Sequence, residues 1–271
     1  MNGEAESFME EREHLMKLTK VIAVTSLKGG VGKTTSAVNI AACFAERGLT
    51  TLLLDMDPHT GATLHLGLDF KNLELTAYDL LLDPDIVLRD VVCKTHWENL
   101  FLIPSTGTLS ELDTRLEGQV GREHRLSEKF QDNLNAYDAV VIDAPPVASL
   151  LLYNVLCAAR FAVVPFRTDY MSTKAIDDMN RLVKGVAKRL NPDIDILGYF
   201  GTMYDRRTKE SEACMKEMKD AYGTKVFDTV IPSNAVLARA ARHGSPGIEY
   251  ARDSEGARSY ELLSDEILSR C

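Results

Sequence analysis

The 271-residue chain lacks the long apolar segments that membrane-spanning and secreted proteins need. It has no run of about 18 apolar residues, so no transmembrane helix is expected. Its N-terminal stretch, MNGEAESFMEEREHLMKLTK, is acidic and has no apolar centre, which argues against a secretory signal. We therefore expect a cytoplasmic protein.

Cysteine is scarce, and its spacing argues against disulfide and metal-cluster chemistry. The five cysteines are an odd number, are widely scattered, and include no C-x-x-C pair. A disulfide framework or a zinc site is therefore not expected. Proteins that hold iron–sulfur clusters with paired cysteine ligands are disfavoured for the same reason.

Acidic residues outnumber basic ones overall, but one region of the chain has a net positive charge. The whole chain carries a net charge of −9. Between Arg181 and His243, 12 Lys/Arg outnumber 8 Asp/Glu, so this region carries +4 and the remainder −13. A basic region on an acidic body suits contact with a polyanion on one face only.

Apolar runs alternate with helical segments along the chain, which predicts an α/β fold. Most runs are rich in Val, Ile and Leu without polar alternation, as in strands buried on both faces of a parallel sheet. We predict a doubly wound, mostly parallel sheet with helices on both faces. The domain spans residues 20–271 and follows an N-terminal extension, 1–19. The predicted strands are 21–26, 50–57, 99–105, 139–145, 161–166, 195–204 and 225–232, and the predicted helices are 34–47, 122–135, 173–190, 208–222 and 256–269.

The stretch VIAVTSLKGGVGKTTSAVNIAACFAERG, residues 21–48, predicts a strand, a glycine-rich loop and a helix. Such a loop presents main-chain N–H groups to phosphates at a helix N-terminus, as in P-loop NTPases. Lys33 would reach the β- and γ-phosphates and Thr34 would ligate Mg²⁺, so the cofactors are ATP and Mg²⁺. The strict G-x-x-x-x-G-K-[ST] pattern is not met, because Leu27 stands at its first glycine. The predicted phosphate-binding residues are Lys28, Gly29, Gly30, Val31, Gly32, Lys33, Thr34 and Thr35.

The segment KGGVGKTT resembles the deviant Walker A motif of the ParA/MinD group of P-loop ATPases. LLLDMDPHTGAT resembles that group's D-x-D-P-Q-G-N-A-T switch, and YDAVVIDAPPVASLLLYNVL its Walker B region. The chain thus resembles ParA partition ATPases of the short form, which have no N-terminal helix-turn-helix domain. The resemblance implies slow ATP hydrolysis stimulated by a ParB-like or other cargo adaptor. It also implies an ATP-bound homodimer that binds DNA without sequence preference and associates with the nucleoid.

The resemblance assigns roles to the two lysines of the loop and to three carboxylates. Lys28 would reach the nucleotide of a facing subunit, so Lys28, Lys33 and Asp57 form the catalytic set; a solvated surface lysine is the alternative for Lys28. Asp57 would position the attacking water, and Asp143 would hold Mg²⁺ through water. The predicted metal set is therefore Thr34, Asp57 and Asp143. Asp55 would lie behind Asp57, in a structural or outer-shell role, unless both merely end the strand.

One short segment departs from the family pattern. After Asp57-Pro58 the usual Gln-Gly-Asn is replaced by His59-Thr60-Gly61. His59 either tunes the switch or faces solvent, and we favour the second. The departure leaves the basal rate open.

The base-binding and DNA-binding residues are also taken from the resemblance. The adenine would rest near Met203, Pro232 and Asn234. Arg207 matches a DNA-contacting arginine, whereas two other expected arginines are Ser233 and Val236. Arg239 and Arg242, one turn apart on the following helix, could replace them, although a solvated helix face is the alternative for every basic residue named here. Five others could extend the patch: Lys184, Lys188, Arg189, Lys216 and Lys219.

Two other functions stay open. A MinD-like regulator ends in a basic amphipathic helix that lies on a membrane, but this chain ends SYELLSDEILSRC, so no membrane partner is expected. A metabolic P-loop ligase or kinase would turn over ATP with a small substrate. The N-terminal extension, with Phe8, Met9, Leu15 and Met16, packs on the body or binds a partner. The sequence does not identify the cargo.

Overall fold

The structure, a computed structural model, describes residues 19–68, 73–131, 134–168 and 173–271. The structure therefore does not describe Phe8, Met9, Leu15 and Met16, for which the sequence predicted packing on the body or partner binding. Thr19 is buried, and its hydroxyl donates to the main-chain oxygen of Tyr137 (2.9 Å). The chain is therefore already anchored to the body one residue before the first strand.

A seven-stranded sheet forms the centre of the described part of the chain, in the order β3-β4-β2-β5-β1-β6-β7. All its neighbouring pairs are parallel except β3 with β4, which are antiparallel. The strands are β1 (Lys20–Val24), β2 (Thr51–Asp55), β3 (Cys93–Lys94), β4 (Leu100–Ile103), β5 (Ala139–Asp143), β6 (Phe161–Arg167) and β7 (Asp195–Thr202).

Helices connect the strands and cover both faces of the sheet. The α-helices of the described residues are α1 (Lys33–Glu46), α2 (Gly61–His65), α3 (Ala77–Leu82), α4 (Leu88–Val91), α5 (Leu112–Arg115), α6 (Arg125–Phe130), α7 (Leu150–Ala158), α8 (Thr173–Arg189), α9 (Lys209–Tyr222), α10 (Ala235–Arg242), α11 (Gly247–Tyr250) and α12 (Glu255–Arg270). Short 3₁₀ turns cover Gly107–Glu111, Arg122–His124, Leu134–Ala136 and Gly223–Lys225.

Two hydrophobic layers lie on opposite faces of the sheet. Strands β2 and β5 are buried along their whole length, and successive side chains enter different layers. Leu52 and Leu54 face the layer that includes α7, α8 and α9, whereas Leu53 faces α1, α10 and α12. This arrangement confirms the predicted doubly wound fold with helices on both faces.

The predicted strand 225–232 is wrong. These residues pair with the β7 region only at two isolated parallel bridges, Tyr199 with Val226 and Tyr204 with Pro232. Proline has no N–H to donate to a ladder. The ring of Phe227 lies directly over Gly198, where a Cβ would come within 2.5 Å of it.

The predicted helix 122–135 is also wrong as one element. A 3₁₀ turn at Arg122–His124 precedes α6, and a second 3₁₀ turn covers Leu134–Ala136. The buried side chain of Asn154 causes the first break, because it accepts from Leu126 N–H (3.0 Å) and donates to Arg122 O (2.9 Å). A long-range side chain thus replaces main-chain helical hydrogen bonds.

Candidate active site

The glycine-rich loop lies between β1 and α1, at the carboxyl edge of the sheet. Gly30 (φ +71°) and Gly32 (φ +84°) adopt left-handed torsions that disfavour other residues. Gly32 caps α1 without a side-chain hydrogen bond, and no acidic residue lies in the first turn of the helix. The amides of that turn therefore form a site for an anion, assisted by the helix dipole.

Both lysines lie on this loop, in different environments. Lys33 is only 6% exposed, and its Nζ lies 3.5 Å from the main-chain oxygen of Lys28. Burial lowers the pKa of Lys33, while the nearby carboxylates of Asp143 and Asp57 oppose that change. Lys28 is half-buried and adjoins the exposed tip of the loop at Gly29. Lys33 thus faces inward, and Lys28 stands next to the open side.

Asp143, the last residue of β5, is fully buried behind the loop. Neither of its carboxylate oxygens has a hydrogen-bond partner among the described residues. Burial raises the pKa of Asp143 well above its usual range, and the nearby Asp55 carboxylate adds to the rise. The side chain of Thr34 and the ammonium of Lys33 have the opposite effect.

This unsatisfied carboxylate fits a hydrated Mg²⁺. Across the described ranges, no group of three or more His, Cys, Asp or Glu side chains could hold a metal by itself. Mg²⁺ commonly keeps several waters and takes the rest of its ligands from substrate phosphates and one or two protein groups. Thr34 and Asp143 could supply such groups, and a bound Mg²⁺ would neutralise charge on the phosphates.

Asp55 is the last residue of β2 and Asp57 lies two residues later, and the two aspartates make different contacts. Asp55 is fully buried and accepts from the N–H (2.8 Å) and the hydroxyl (2.7 Å) of Thr63. It also accepts from the N–H of Asp57 (3.2 Å). Burial raises the pKa of Asp55 to about 6, partly offset by these hydrogen bonds. Asp55 therefore ties β2 to α2, which agrees with the predicted structural role.

His59 contacts Asp57. The ring of His59 is 85% exposed, as expected, yet its Nδ1 lies 2.8 Å from Asp57 Oδ1. The ring of His59 thus faces solvent, as favoured, and in addition contacts the carboxylate of Asp57. Two residues later, Gly61 lies so close to Thr34 that a Cβ would come within 2.9 Å of its methyl group. The segment 59–61, which differs from the family pattern, thus contacts both Asp57 and Thr34.

A cavity of about 360 Å³ opens beside the loop, within the range of small-molecule sites. It is bordered by the predicted residues Met203, Pro232 and Asn234, together with Thr35. The side-chain oxygen of Asn234 is already used, since it accepts from Val236 N–H and caps α10. The predicted phosphate-loop residue Gly32 also borders it, and Ser233 lies between Pro232 and Asn234. The lining residues that the sequence did not indicate are Thr202, Ile231, Ala235, Leu237, Ala238 and Tyr260.

Two polar residues that sequence reasoning missed hold the site from behind. The Thr202 hydroxyl donates to Val31 O (2.9 Å) and joins the loop to the end of β7. The buried hydroxyl of Ser105, just after β4, donates to Asp57 O (2.7 Å). Neither has a local sequence signal, although each follows or ends a parallel strand at the edge where such sites form.

The predicted DNA-binding residues are all exposed, but they do not form one group. Arg207 follows β7 and is paired with Asp205, which accepts from its Nε (2.9 Å) and Nη2 (2.7 Å). Arg239 and Arg242 lie on α10, which begins directly after Asn234 at the cavity. Lys188 and Arg189 end α8, which leads back toward the start of β7. They therefore lie at the opposite edge of the sheet from Arg207, as do the later turns of α9.

The C-terminal helix α12 packs against α1. Tyr260, Leu263 and Ile267 form its buried side, and the hydroxyl of Tyr260 shares a hydrogen bond with Ser36 (2.9 Å). The apolar side of α12 is thus occupied within the chain. Among the helices of the described ranges, none combines the length and the apolar character needed to cross a membrane.

Comparisons with known proteins agree with this geometry. A family described as an AAA domain matches residues 19–196. The chain is 39% identical over 248 residues to the sporulation initiation inhibitor protein Soj of Bacillus subtilis, covering 92% of this chain and 98% of that protein. It is 38% identical over 251 residues to the chromosome-partitioning ATPase Soj of Treponema pallidum, covering 93% and 98%.

A solved structure also resembles most of the chain. Cobyrinic acid a,c-diamide synthase from Mycobacterium smegmatis, with bound ADP and magnesium, aligns with a TM-score of 0.81 and 30% identity. The alignment covers 92% of this chain and 94% of that one.

Proposed function

Because the chain belongs to the Soj/ParA family of P-loop ATPases, we propose that it is a partition or positioning ATPase driven by an ATP-dependent dimer. It is an ATPase that uses ATP and Mg²⁺. In the proposed cycle, two ATP-bound chains associate face to face and bind DNA without sequence preference. Hydrolysis, stimulated by a ParB-like or other cargo adaptor, releases them.

The observation that carries the proposal is the pair of lysines on one phosphate loop. Lys33 is buried and faces Asp57 and Asp143, so it suits the nucleotide of its own chain. Lys28 adjoins the exposed tip at Gly29 and Gly30, where a second chain could approach. A cation on that side would neutralise phosphate charge, and hydrolysis would remove part of the charge that holds the dimer.

Exposed apolar side chains near the site support the dimer. Val147 is 59% exposed in the segment after β5, and Leu64 is 52% exposed on α2 after β2. These strands are neighbours in the sheet, and the two segments follow their carboxyl ends. Contact with a second chain would remove this apolar surface from water, at about 25 cal/mol per Å².

The proposal predicts that Lys28→Ala abolishes dimerisation with ATP. Asp57→Ala serves as the background, because the role proposed for Asp57 makes hydrolysis slow there. Multi-angle light scattering with Mg-ATP is expected to show a dimer for Asp57→Ala and a monomer for Lys28→Ala/Asp57→Ala. Fluorescent ATP should still bind both proteins, since Lys33 is retained.

Lys94→Ala, an exposed lysine on the edge strand β3, is the matched control for lost charge. It should leave the dimer intact in the same background. A dimer of unchanged stability in Lys28→Ala/Asp57→Ala would contradict the proposal.

A metabolic ligase is the second candidate, supported by the likeness to the diamide synthase. The two functions differ in what accelerates ATP turnover. Plasmid or fragmented genomic DNA and an adaptor should stimulate a partition ATPase, whereas a small carboxylic acid would stimulate a ligase. Coverage of 98% of Soj at 39% identity favours the first.

A further inference from the structure

The main chain of Asp57 is held by buried groups on both sides. Its N–H donates to Asp55 Oδ1 (3.2 Å), and its carbonyl oxygen accepts from the Ser105 hydroxyl (2.7 Å). Asp55 and Ser105 are both fully buried. These contacts fix where the residue lies but leave its carboxylate free to rotate about the side-chain bonds.

The carboxylate is oriented by His59. Asp57 Oδ1 accepts from the main-chain N–H of His59 (3.0 Å), and the ring Nδ1 lies 2.8 Å away from the same oxygen. Because a carboxylate oxygen accepts, Nδ1 carries the hydrogen in this contact. Both bonds go to one oxygen, so Oδ2 stays available for another partner.

The two bonds have different origins. The main-chain bond belongs to a turn with Pro58 at its second position, closed by Thr60 N–H to Asp57 O (2.8 Å). An aspartate that opens such a turn commonly accepts from the N–H two residues later, whatever side chain follows. The ring bond, in contrast, exists only because residue 59 is a histidine.

Packing does not explain the position of the ring. The side chain of His59 is 85% exposed, whereas that of Asp57 is 11% exposed. The next residue, Thr60, adopts φ +58°, a torsion that is unfavourable for a β-branched residue. The ring of His59, which is otherwise in solvent, thus lies against a largely buried carboxylate, next to a residue with a strained torsion.

We propose that His59 is a positioning residue for ATP hydrolysis, an inference that rests on the proposed role of Asp57 as the group that orients the attacking water. By donating to Oδ1, the ring fixes the rotamer of Asp57 and directs Oδ2 toward the water. His59 does not touch the nucleotide. It therefore affects the rate of hydrolysis rather than the affinity for ATP.

The test uses two substitutions of nearly equal size. The amide nitrogen of His59→Asn occupies the place of Nδ1 and can donate, whereas His59→Leu fills the same space without a donor. We expect kcat of His59→Leu to fall about three- to tenfold, the usual effect of losing one partly exposed hydrogen bond to a carboxylate. His59→Asn should keep most of kcat, and KM for ATP should stay within about twofold in both, because neither touches the nucleotide.

His96→Ala, a remote exposed histidine, is the control and should match the unaltered chain. Melting temperatures should agree among all variants, since an exposed ring contributes little to packing. Equal kcat for His59→Asn and His59→Leu would overturn the inference, as would a change in KM with kcat unchanged.

Asp57→Ala separates this inference from the proposal on which it rests. If Asp57→Ala loses activity while His59→Leu retains it, only the positioning role of His59 fails. If Asp57→Ala itself keeps full kcat, the role assigned to Asp57 fails as well.

Discussion

His65 is a buried titratable residue outside the phosphate site. It lies at the end of α2, is 3% exposed, and has a ring nitrogen, Nε2, without a hydrogen-bond partner among the described residues. Burial lowers the pKa of His65 to about 4, while contact with the main chain of Ser245 opposes the shift. The ring is therefore neutral in the folded protein at ordinary pH and becomes protonated on unfolding below its normal pKa.

This shift predicts how His65 affects stability with pH. Since the unfolded state binds the proton more readily, the free energy of unfolding falls as pH drops from the usual value of about 6.5 toward 4. Between about pH 7 and pH 5 the expected loss is about 2 kcal/mol, which His65→Gln, lacking a titrating ring, should not show.

Urea unfolding of both proteins at the two pH values measures the difference. Other titrating groups are common to both, so they cancel in the comparison. An identical pH dependence in His65→Gln would mean that the pKa of His65 is the same in the folded and unfolded states.

The short connection between α10 and α11, residues 243–246, and the first residue of α11 contact several elements of the site. Asn39 on α1 accepts from the N–H of Gly247 (2.7 Å), and its amide donates to Thr35 O (2.7 Å). Gly244 lies against Gly67, which follows α2. Helix α10, which carries Arg239 and Arg242, is thus connected to both α1 and α2.

Gly244 cannot accept a side chain without moving this connection. It adopts φ +69°, and a Cβ would lie 2.8 Å from Gly67 Cα, a main-chain atom. Gly244→Ala is expected to cost about 2 kcal/mol or more and to lower the melting temperature by roughly 5 °C.

Gly185→Ala in α8 is the matched control. A Cβ there meets nothing within 4 Å, and the residue is helical. Alanine should therefore stabilise the protein by up to about 1 kcal/mol. Scanning calorimetry compares the two, and similar melting temperatures would contradict the close approach seen at Gly244.

At the scale of the whole molecule, the basic residues predicted to bind DNA lie in two separate regions. At the nucleotide edge, the hydrogen-bonded guanidinium of Arg207 lowers the pKa of Asp205 to about 2, so this pair carries little net charge. Arg239 and Arg242 are exposed nearby on α10. At the opposite edge, Lys188 and Arg189 form a second region.

The proposed DNA binding predicts which region matters. In an ATP dimer each substitution removes two contacts, so Arg242→Ala should reduce the slope of log K against log salt by about 1.8. Fluorescence anisotropy with a random-sequence duplex, between about 50 and 200 mM salt, measures this slope.

Arg89→Ala, on α4, is the control and should leave the slope unaltered. Arg189→Ala shows whether the contact surface reaches the other edge of the sheet. A slope that changes with Arg189→Ala and not with Arg242→Ala would place the DNA away from the nucleotide.

The phosphate loop, the buried parallel strands and the carboxylates that end them were all predictable from the amino-acid sequence. These features depend on local rules: glycine torsions, continuous apolar runs, and the meeting of parallel strand ends at one edge. Lys33 and Thr34 follow from these local rules, whereas the roles predicted for Asp57 and Asp143 came from the resemblance to the ParA/MinD group.

The contacts between distant segments, in contrast, are seen only in the folded chain. The predicted helix 122–135 is interrupted where the side chain of Asn154 accepts a main-chain hydrogen bond. The predicted strand 225–232 is not a strand, and its Phe227 ring packs over Gly198. The ring of His59 contacts Asp57. The arginines predicted to bind DNA lie at two different edges of the sheet. Local periodicity does not contain this information, because packing and long-range hydrogen bonds override intrinsic preference wherever remote side chains meet.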